Sequence, residues 1–399
     1  MISVELILLG VVSSIVLWAL GAVRFSRTLI TMPIIFTAVG YGITYPVGML
    51  ADEHVLNEIA RLVAEITLII VLFADASHVR FRELTKGFVL PLWMLVLGMP
   101  LTILFGTLVV YFITPGGSWA VALLTAAILT PTDAALGASV VASKDISARL
   151  TQTINVESGL NDGLVLPFVL FGATAAGMAA QGAGSVGFIQ DAVLQVVLGP
   201  LAGIAVGGGI AWVMNRANDH NWANESSEAI VFLASAFAAY LAAGAIGGNG
   251  FIAAFVAGMV FGNVYKHDRH FIGEFMESTG QLVTIMAFLI FGAVLLPAGF
   301  EHVSIIPMII AVLFLTLVRL VPILISLIGT DLDFKERLFL GWFGPRGLAS
   351  VLFALIVVDE YNIPFEAELQ ACVVMTVFAS IILHGMSAAP LVRYFGKRG

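Results

Sequence analysis

The sequence predicts an all-α polytopic membrane protein with thirteen transmembrane helices. Three observations lead there. Of the 399 residues, 60% are hydrophobic and only 11% are charged, against about 25% charged in an ordinary soluble domain. Apolar runs of about 20 residues, the length that crosses a bilayer, recur from end to end. Basic residues fall in alternate loops, as they do in a chain with a fixed orientation in a membrane. The 40 glycines fit the same class, because small residues let membrane helices approach closely.

Taken in order, the apolar windows predict spans at 2–23, 29–50, 55–78, 87–113, 118–142, 150–178, 187–214, 228–245, 249–264, 273–296, 303–329, 335–358 and 366–391. The first is apolar from Ile2 with no basic residues before it, so it reads as a retained span and not as a cleaved signal peptide. The third carries Glu58, Arg61, Glu65 and Asp75 and is the least apolar, yet it lies between two clear loops. The fifth and twelfth contain prolines. After the seventh comes "NRANDHNWANESSE", the longest polar stretch and the expected boundary between helix bundles.

Fifteen of the eighteen Lys and Arg residues test this division. They are Arg24 and Arg27; Arg80, Arg82 and Lys86; Lys144 and Arg149; Arg216; Lys266 and Arg269; Lys335 and Arg337; and Arg393, Lys397 and Arg398. The intervening loops hold none. The positive-inside rule then puts the N-terminus outside and the C-terminus in the cytoplasm, with the chain in the inner (plasma) membrane. A net charge of −8 without a basic patch argues against a nucleic-acid partner. A single cysteine, Cys372, excludes an internal disulfide and a Cys-based metal site, and no cofactor is expected.

The remaining basic residues are Arg61, Arg319 and Arg346, the last two deep in apolar spans beside the deep acids Asp133, Glu157 and Asp162. An ionisable group at mid-bilayer costs a few kcal/mol or more, and so points to function. Asp162 lies thirteen residues beyond Arg149 and Asp133 eleven before Lys144. At 1.5 Å per residue that is roughly 20 Å and roughly 16 Å, which puts both carboxylates near one level. In "TINVESGLNDGLVLPF", Ser158 and Asp162 share one helix face and Glu157 and Asn161 another. The first pair offers hard oxygens suited to a cation; the second suits an arginine fork. Pro131 in "LLTAAILTPTDAALGASV" removes a helix donor, and Thr130 and Thr132 can satisfy freed groups. "LGWFGPRGLASVLF" breaks the twelfth span at Gly344, Pro345 and Gly347 around Arg346. Two broken helices at corresponding places in two halves point to a transporter binding site.

At these residues the chain resembles the monovalent cation/proton antiporters of the NhaP and sodium/proton exchanger branch. "TPTDAALGAS", "ESGLNDG", "LFLTLVRLV", "GWFGPRGLAS" and "LFADASHVRFREL" carry the likeness. It implies inverted repeats with two crossing unwound helices. It also implies a core of 86–180 and 303–392, a dimerisation scaffold of 1–85 and 228–297, and a linker helix at 186–216. Asp133, Asp162, Ser158 and the Thr132 backbone carbonyl are implied as ligands of a monovalent cation. Glu157 and Asn161 match a structural pair with an arginine, either Arg319 or Arg346, with Arg319 slightly favoured. Asp75 aligns with an acid at the cytoplasmic funnel. Asn161 stands where the electrogenic branch has a second Asp, which is associated with one-for-one exchange. The implied function is an electroneutral sodium (or lithium)/proton antiporter, working as a homodimer in the lipid bilayer, with potassium/proton exchange as the alternative.

Two other readings are set beside it. An organic-anion symporter on a related fold would need a larger cavity and a cationic substrate-binding group, and "ESGLND" argues against it. An intramembrane hydrolase built on Ser158 would need a base; His384 is remote in sequence and expected near the membrane surface. The chain is therefore not expected to be an enzyme.

Overall fold

The structure, a computed structural model, describes residues 4–25, 30–48, 53–79, 89–133, 136, 140, 146–181, 186–267, 270–361, 363 and 365–396. Among the described residues the chain is helical, without a strand. The helices are α1 (Val4–Phe25), α2 (Met32–Gly48), α3 (Glu53–Ser77), α4 (Val89–Ile113), α5 (Trp119–Ile128), α6 (Ala148–Gln181) and α7 (Val186–Asp219). They continue with α8 (Glu225–Ala245), α9 (Gly250–Val264), α10 (His270–Glu301), α11 (Ile305–Ser326), α12 (Phe334–Trp342), α13 (Leu348–Tyr361) and α14 (Glu366–Gly396). Eight of these, α1, α4, α6, α7, α8, α10, α11 and α14, are long and apolar enough to cross a membrane. Shorter apolar helices lie within α2, α5, α9 and α13. The chain is a multi-pass integral membrane protein.

Each expected span contains helix, but several helices outrun their apolar windows. α7 reaches Asp219 and α10 reaches Glu301. Hydropathy marks the stretch that meets lipid, whereas backbone hydrogen bonds continue a helix into polar residues beyond it. Local chemistry sets other ends. Asn224 caps α8 by accepting from Ser227 N–H at 2.9 Å, and Asn249 caps α9 by accepting from Ile252 N–H at 3.0 Å. Asp333 and Glu336 form a reciprocal capping box at α12. Arg27, Arg80, Arg82, Lys86, Lys144, Arg269, Lys397 and Arg398 lie outside the described residues, as does the fifth span beyond Asp133 apart from Leu136 and Val140.

The packing forms two groups. In one, α9 lies along α7 and α3, α8 along α9 and α7, and α10 along α2 and α3. In the other, α5 sits between α4 and α6, and α11 packs on α14, α4 and α12. The groups meet where the end of α10 packs on α14 and where α6 and α13 pack on α3. Close approach defines the α7–α9 seam. A Cβ added at Gly207 would overlap the Ala257 carbonyl and stand 2.7 Å from its Cα. Backbone cannot retreat as a flexible side chain can. Gly207→Val should therefore cost at least about 1–3 kcal/mol of stability. A thermal melt in detergent checks this; a wild-type melting temperature would contradict the seam.

Candidate functional site

The site is built where the two breaks cross. α5 stops at Ile128, and residues 131–133 are non-helical; α12 stops at Trp342, residues 343–347 are non-helical, and α13 resumes at Leu348. Each broken end leaves backbone groups without helical partners, carbonyls at the end of α5 and N–H groups at the start of α13. The opposite break supplies both. Arg346 Nη1 donates to the Thr130 carbonyl and, at 3.1 Å, to the Pro131 carbonyl. Asp133 Oδ2 accepts from Leu348 N–H at 3.1 Å, and Asp133 N–H donates to the Pro345 carbonyl at 2.8 Å. A cation thus meets a helix C-terminus and an anion a helix N-terminus, the favourable sense for both dipoles. Two glycines make room. A Cβ at Gly347 would overlap the Asp133 carboxylate, and one at Gly344 the Arg319 guanidinium.

Beside the crossing, α6 presents Glu157, Ser158, Asn161 and Asp162, all buried. Glu157 takes a two-pronged contact from Arg319 of α11, Nη1 to Oε1 at 2.7 Å and Nη2 to Oε2 at 3.0 Å. Asn161 Nδ2 also donates to Oε1 at 3.4 Å, and Thr132 Oγ1 donates to Oε2 at 3.2 Å. The Glu157 oxygens are therefore fully engaged and have no room for a cation. The pairing left open between Arg319 and Arg346 falls to Arg319; Arg346 instead holds the α5 carbonyls.

Thr132 is the hub that sequence reasoning assigned only by its backbone. Its hydroxyl donates to Glu157, accepts from Asn161 Nδ2 at 2.6 Å, and lies 3.0 Å from Ser158 Oγ. With its one proton directed at Glu157, Ser158 must be the donor in that last bond. One proton and two lone pairs are then all used, so the Thr132 carbonyl is the group left to offer an ion. Ser158, as a donor to Thr132, keeps its own lone pairs. Thr130 does as expected for a freed turn, returning its hydroxyl to the Ala126 carbonyl at 2.7 Å.

Among the described residues the buried Asp162 Oδ1 has no hydrogen-bond partner, and neither has the amide oxygen of Asn161 beside it; of the two only Asp162 can carry a charge. The carboxylates of Asp75, Asp133 and Glu157 all act on it electrostatically. Two glycines on one face of α6, Gly159 and Gly163, let other helices close in. A Cβ at Gly159 would stand 3.5 Å from Asp75 Cβ on α3, and one at Gly163 would overlap the Phe255 ring on α9.

His384 is buried inside the protein, 1% exposed. Its ring bonds Ser380 and the Trp342 carbonyl. The i,i+4 spacing of Ser380 and His384 on one apolar helix was the available signal.

The architecture and the crossing define a class, multi-pass membrane proteins with two discontinuous helices crossing beside buried carboxylates. Within it, residues 11–394 match the model of the family described as sodium/hydrogen exchanger, transmembrane, and the chain belongs to that family. It is 25% identical over 367 residues to the K(+)/H(+) antiporter NhaP of Alkalimonas amylolytica, covering 87% of this chain and 61% of that protein. Against the K(+)/H(+) antiporter NhaP2 of Shewanella oneidensis it is 26% identical, covering 83% of this chain and 57% of the other. Against the Na(+)/H(+) antiporter ApNhaP of Aphanothece halophytica it is 25% identical, covering 92% and 70%. The chain therefore spans less than two thirds of the length of the first two relatives. The solved structure of the sodium proton antiporter MjNhaP1 from Methanocaldococcus jannaschii shares the fold, with a TM-score of 0.78 at 18% identity over 99% of this chain and 98% of that one.

The Glu157–Arg319 pair yields a test. Either single replacement by alanine leaves one buried charge uncompensated and should cost about 3–5 kcal/mol. The double replacement should cost clearly less than the sum of the singles. Melting temperatures of the four proteins in detergent measure this, and strict additivity would dissolve the pair.

Proposed function

We propose that the chain is an electroneutral sodium (or lithium)/proton antiporter that exchanges one cation for one proton by alternating access. The observation that carries this reading is the unpartnered, buried Asp162 oxygen. Glu157 is held by Arg319, Arg346 by the carbonyls at the end of α5, and Asp133 by the N–H at the start of α13. An unpaired carboxylate in so apolar a setting must be neutralised, by a proton or by a cation. One such carboxylate exchanges one for the other. Asp162 and Ser158, with Asp133 and the Thr132 carbonyl, are the proposed cation ligands, and Asp75 the acid that receives the ion on the way in.

Hard oxygen ligands and the names of the Aphanothece and Methanocaldococcus proteins favour sodium. Potassium is the second reading, favoured by the names of the Alkalimonas and Shewanella relatives. The proposal extends to a homodimer in the plasma membrane, N-terminus outside and C-terminus in the cytoplasm. Its scaffold is 1–85 and 228–297, its linker 186–216 and its moving core 86–180 and 303–392. It needs no cofactor, catalyses no covalent chemistry and has no nucleic-acid partner.

The experiment is cation-driven proton movement in proteoliposomes. Asp162→Asn should abolish it while leaving the protein folded; retained exchange would sink the assignment. Asp133→Asn should weaken or abolish exchange, judged by the apparent cation affinity.

Charge balance is a separate test. A one-for-one cycle moves no net charge, so an imposed membrane potential of either sign should leave the initial rate unchanged. One uncompensated charge would couple about 2.3 kcal/mol per 100 mV, so a rate that follows the potential refutes the stoichiometry. Asn161→Asp should stay electroneutral or lose activity. Asn161 donates to Thr132 and Glu157, and a carboxylate there cannot donate. Clean conversion to electrogenic exchange would contradict this.

A further inference from the structure

A second hydrogen-bonded chain, which the ion site does not use, runs behind the crossing. His384 Nε2 lies 3.1 Å from the Trp342 carbonyl, which can only accept, so Nε2 carries a proton. Its Nδ1 lies 3.2 Å from Ser380 Oγ and 3.3 Å from the Ser380 carbonyl. That hydroxyl already accepts from Arg346 backbone N–H at 2.7 Å, so its own proton is free to go to Nδ1. The Trp342 end therefore fixes Nε2–H, and Nδ1 is left to the hydroxyl and carbonyl of Ser380. The ring also packs on the Trp342 indole, centroids 5.5 Å apart, and the indole N–H donates to Ser387 Oγ at 3.1 Å.

The two anchored points bracket the break. Trp342 is the last residue of α12, and Arg346 lies two residues before α13 resumes at Leu348. Trp342's carbonyl also accepts from Gly344 N–H at 2.8 Å. Between the anchors the backbone has no helical ladder to hold it, and Arg346 reaches from there to the carbonyls of Thr130 and Pro131.

We propose that His384 is a positioning residue for the crossing: holding Ser380 and the Trp342 carbonyl together, it fixes the path of residues 343–347 and, through Arg346, the break that carries Thr132 and Asp133. His384 touches no ion; it acts through backbone geometry. For its transport consequence this rests on the antiport reading, but its structural consequence does not.

The test therefore has two readouts on the full chain. In His384→Leu, amide hydrogen exchange of residues 343–348 and 130–133 should accelerate at least tenfold in detergent, while that of α7–α9 should stay unchanged. In proteoliposomes the apparent KM for sodium should rise at least fivefold, with the maximal rate changed less than twofold. His384→Gln keeps one donor and one acceptor and should restore both. Ser380→Ala should reproduce the KM change, and the Ser380→Ala/His384→Leu double variant should add nothing to it. If His384→Leu does not fold, His384→Gln and Ser380→Ala decide alone: wild-type values for the first and faster local exchange for the second support the proposal. Unchanged exchange at 343–348 in either disrupting variant overturns it, as does strictly additive change in KM. An active wild type with unaltered KM in these variants overturns this inference alone. Absence of cation-driven proton movement in the wild type counts against the antiport reading and leaves hydrogen exchange to judge His384.

Discussion

The structure depends on one constraint: charges buried at the level where the two helices break must cancel locally. Arg346 is fully buried and Arg319 and Glu157 nearly so. Each would be prohibitive alone, since an unpaired buried ion costs several kcal/mol after relaxation. The fold meets the cost in two ways. Glu157 and Arg319 neutralise each other through a planar fork. Asp133 and Arg346 neutralise the ends of broken helices, and so draw on the backbone's own dipoles. The second device explains why each break carries a charge beside its proline, and of opposite sign.

That arrangement constrains its neighbours in turn. Because Arg346 spends Nη1 on α5 carbonyls, it is not the partner of Glu157, and the role passes to Arg319. Because Glu157 is saturated, Thr132 and Asn161 serve to complete it, and Asn161 must be an amide to donate. Because Asp133 reaches the start of α13, residue 347 must be glycine. One stretch of sequence therefore reads less as a list of ligands than as a set of mutual exclusions, in which Asp162 is what remains without a fixed partner.

Much of this was legible beforehand, and the boundary is physical. Apolar length and the alternation of basic loops show directly in composition, so the helical membrane class and the segments of helix could be read. Pro131 and Pro345 mark breaks in company with the charges beside them; a missing donor alone does not, since Pro167, Pro200, Pro322 and Pro390 lie inside helices that continue. The Glu157–Arg319 pair spans 162 residues, and no spacing rule covers such a distance, so two arginines stayed open until packing chose. Thr132 was read by its carbonyl because the orientation of a hydroxyl depends on three partners drawn from another helix. The burial of His384 does not show in the sequence, because a lone histidine toward the end of a long helix gives no sign of its surroundings. Its partner Ser380, one turn earlier, was the clue passed over.

Along α6 the last step follows from the two glycines flanking Asp162. Gly159 meets a carboxylate-bearing residue on α3, and Gly163 meets a phenyl ring on α9. The two glycines are four residues apart, so they share one face of α6, and α3 and α9 close on that face one helical turn apart. Asp162, the residue before Gly163, projects about 100° away from it. The close packing on glycine thus fixes the helix without taking the position of the carboxylate, and the same short motif that supplies the unpartnered oxygen also supplies the contacts that hold it in place.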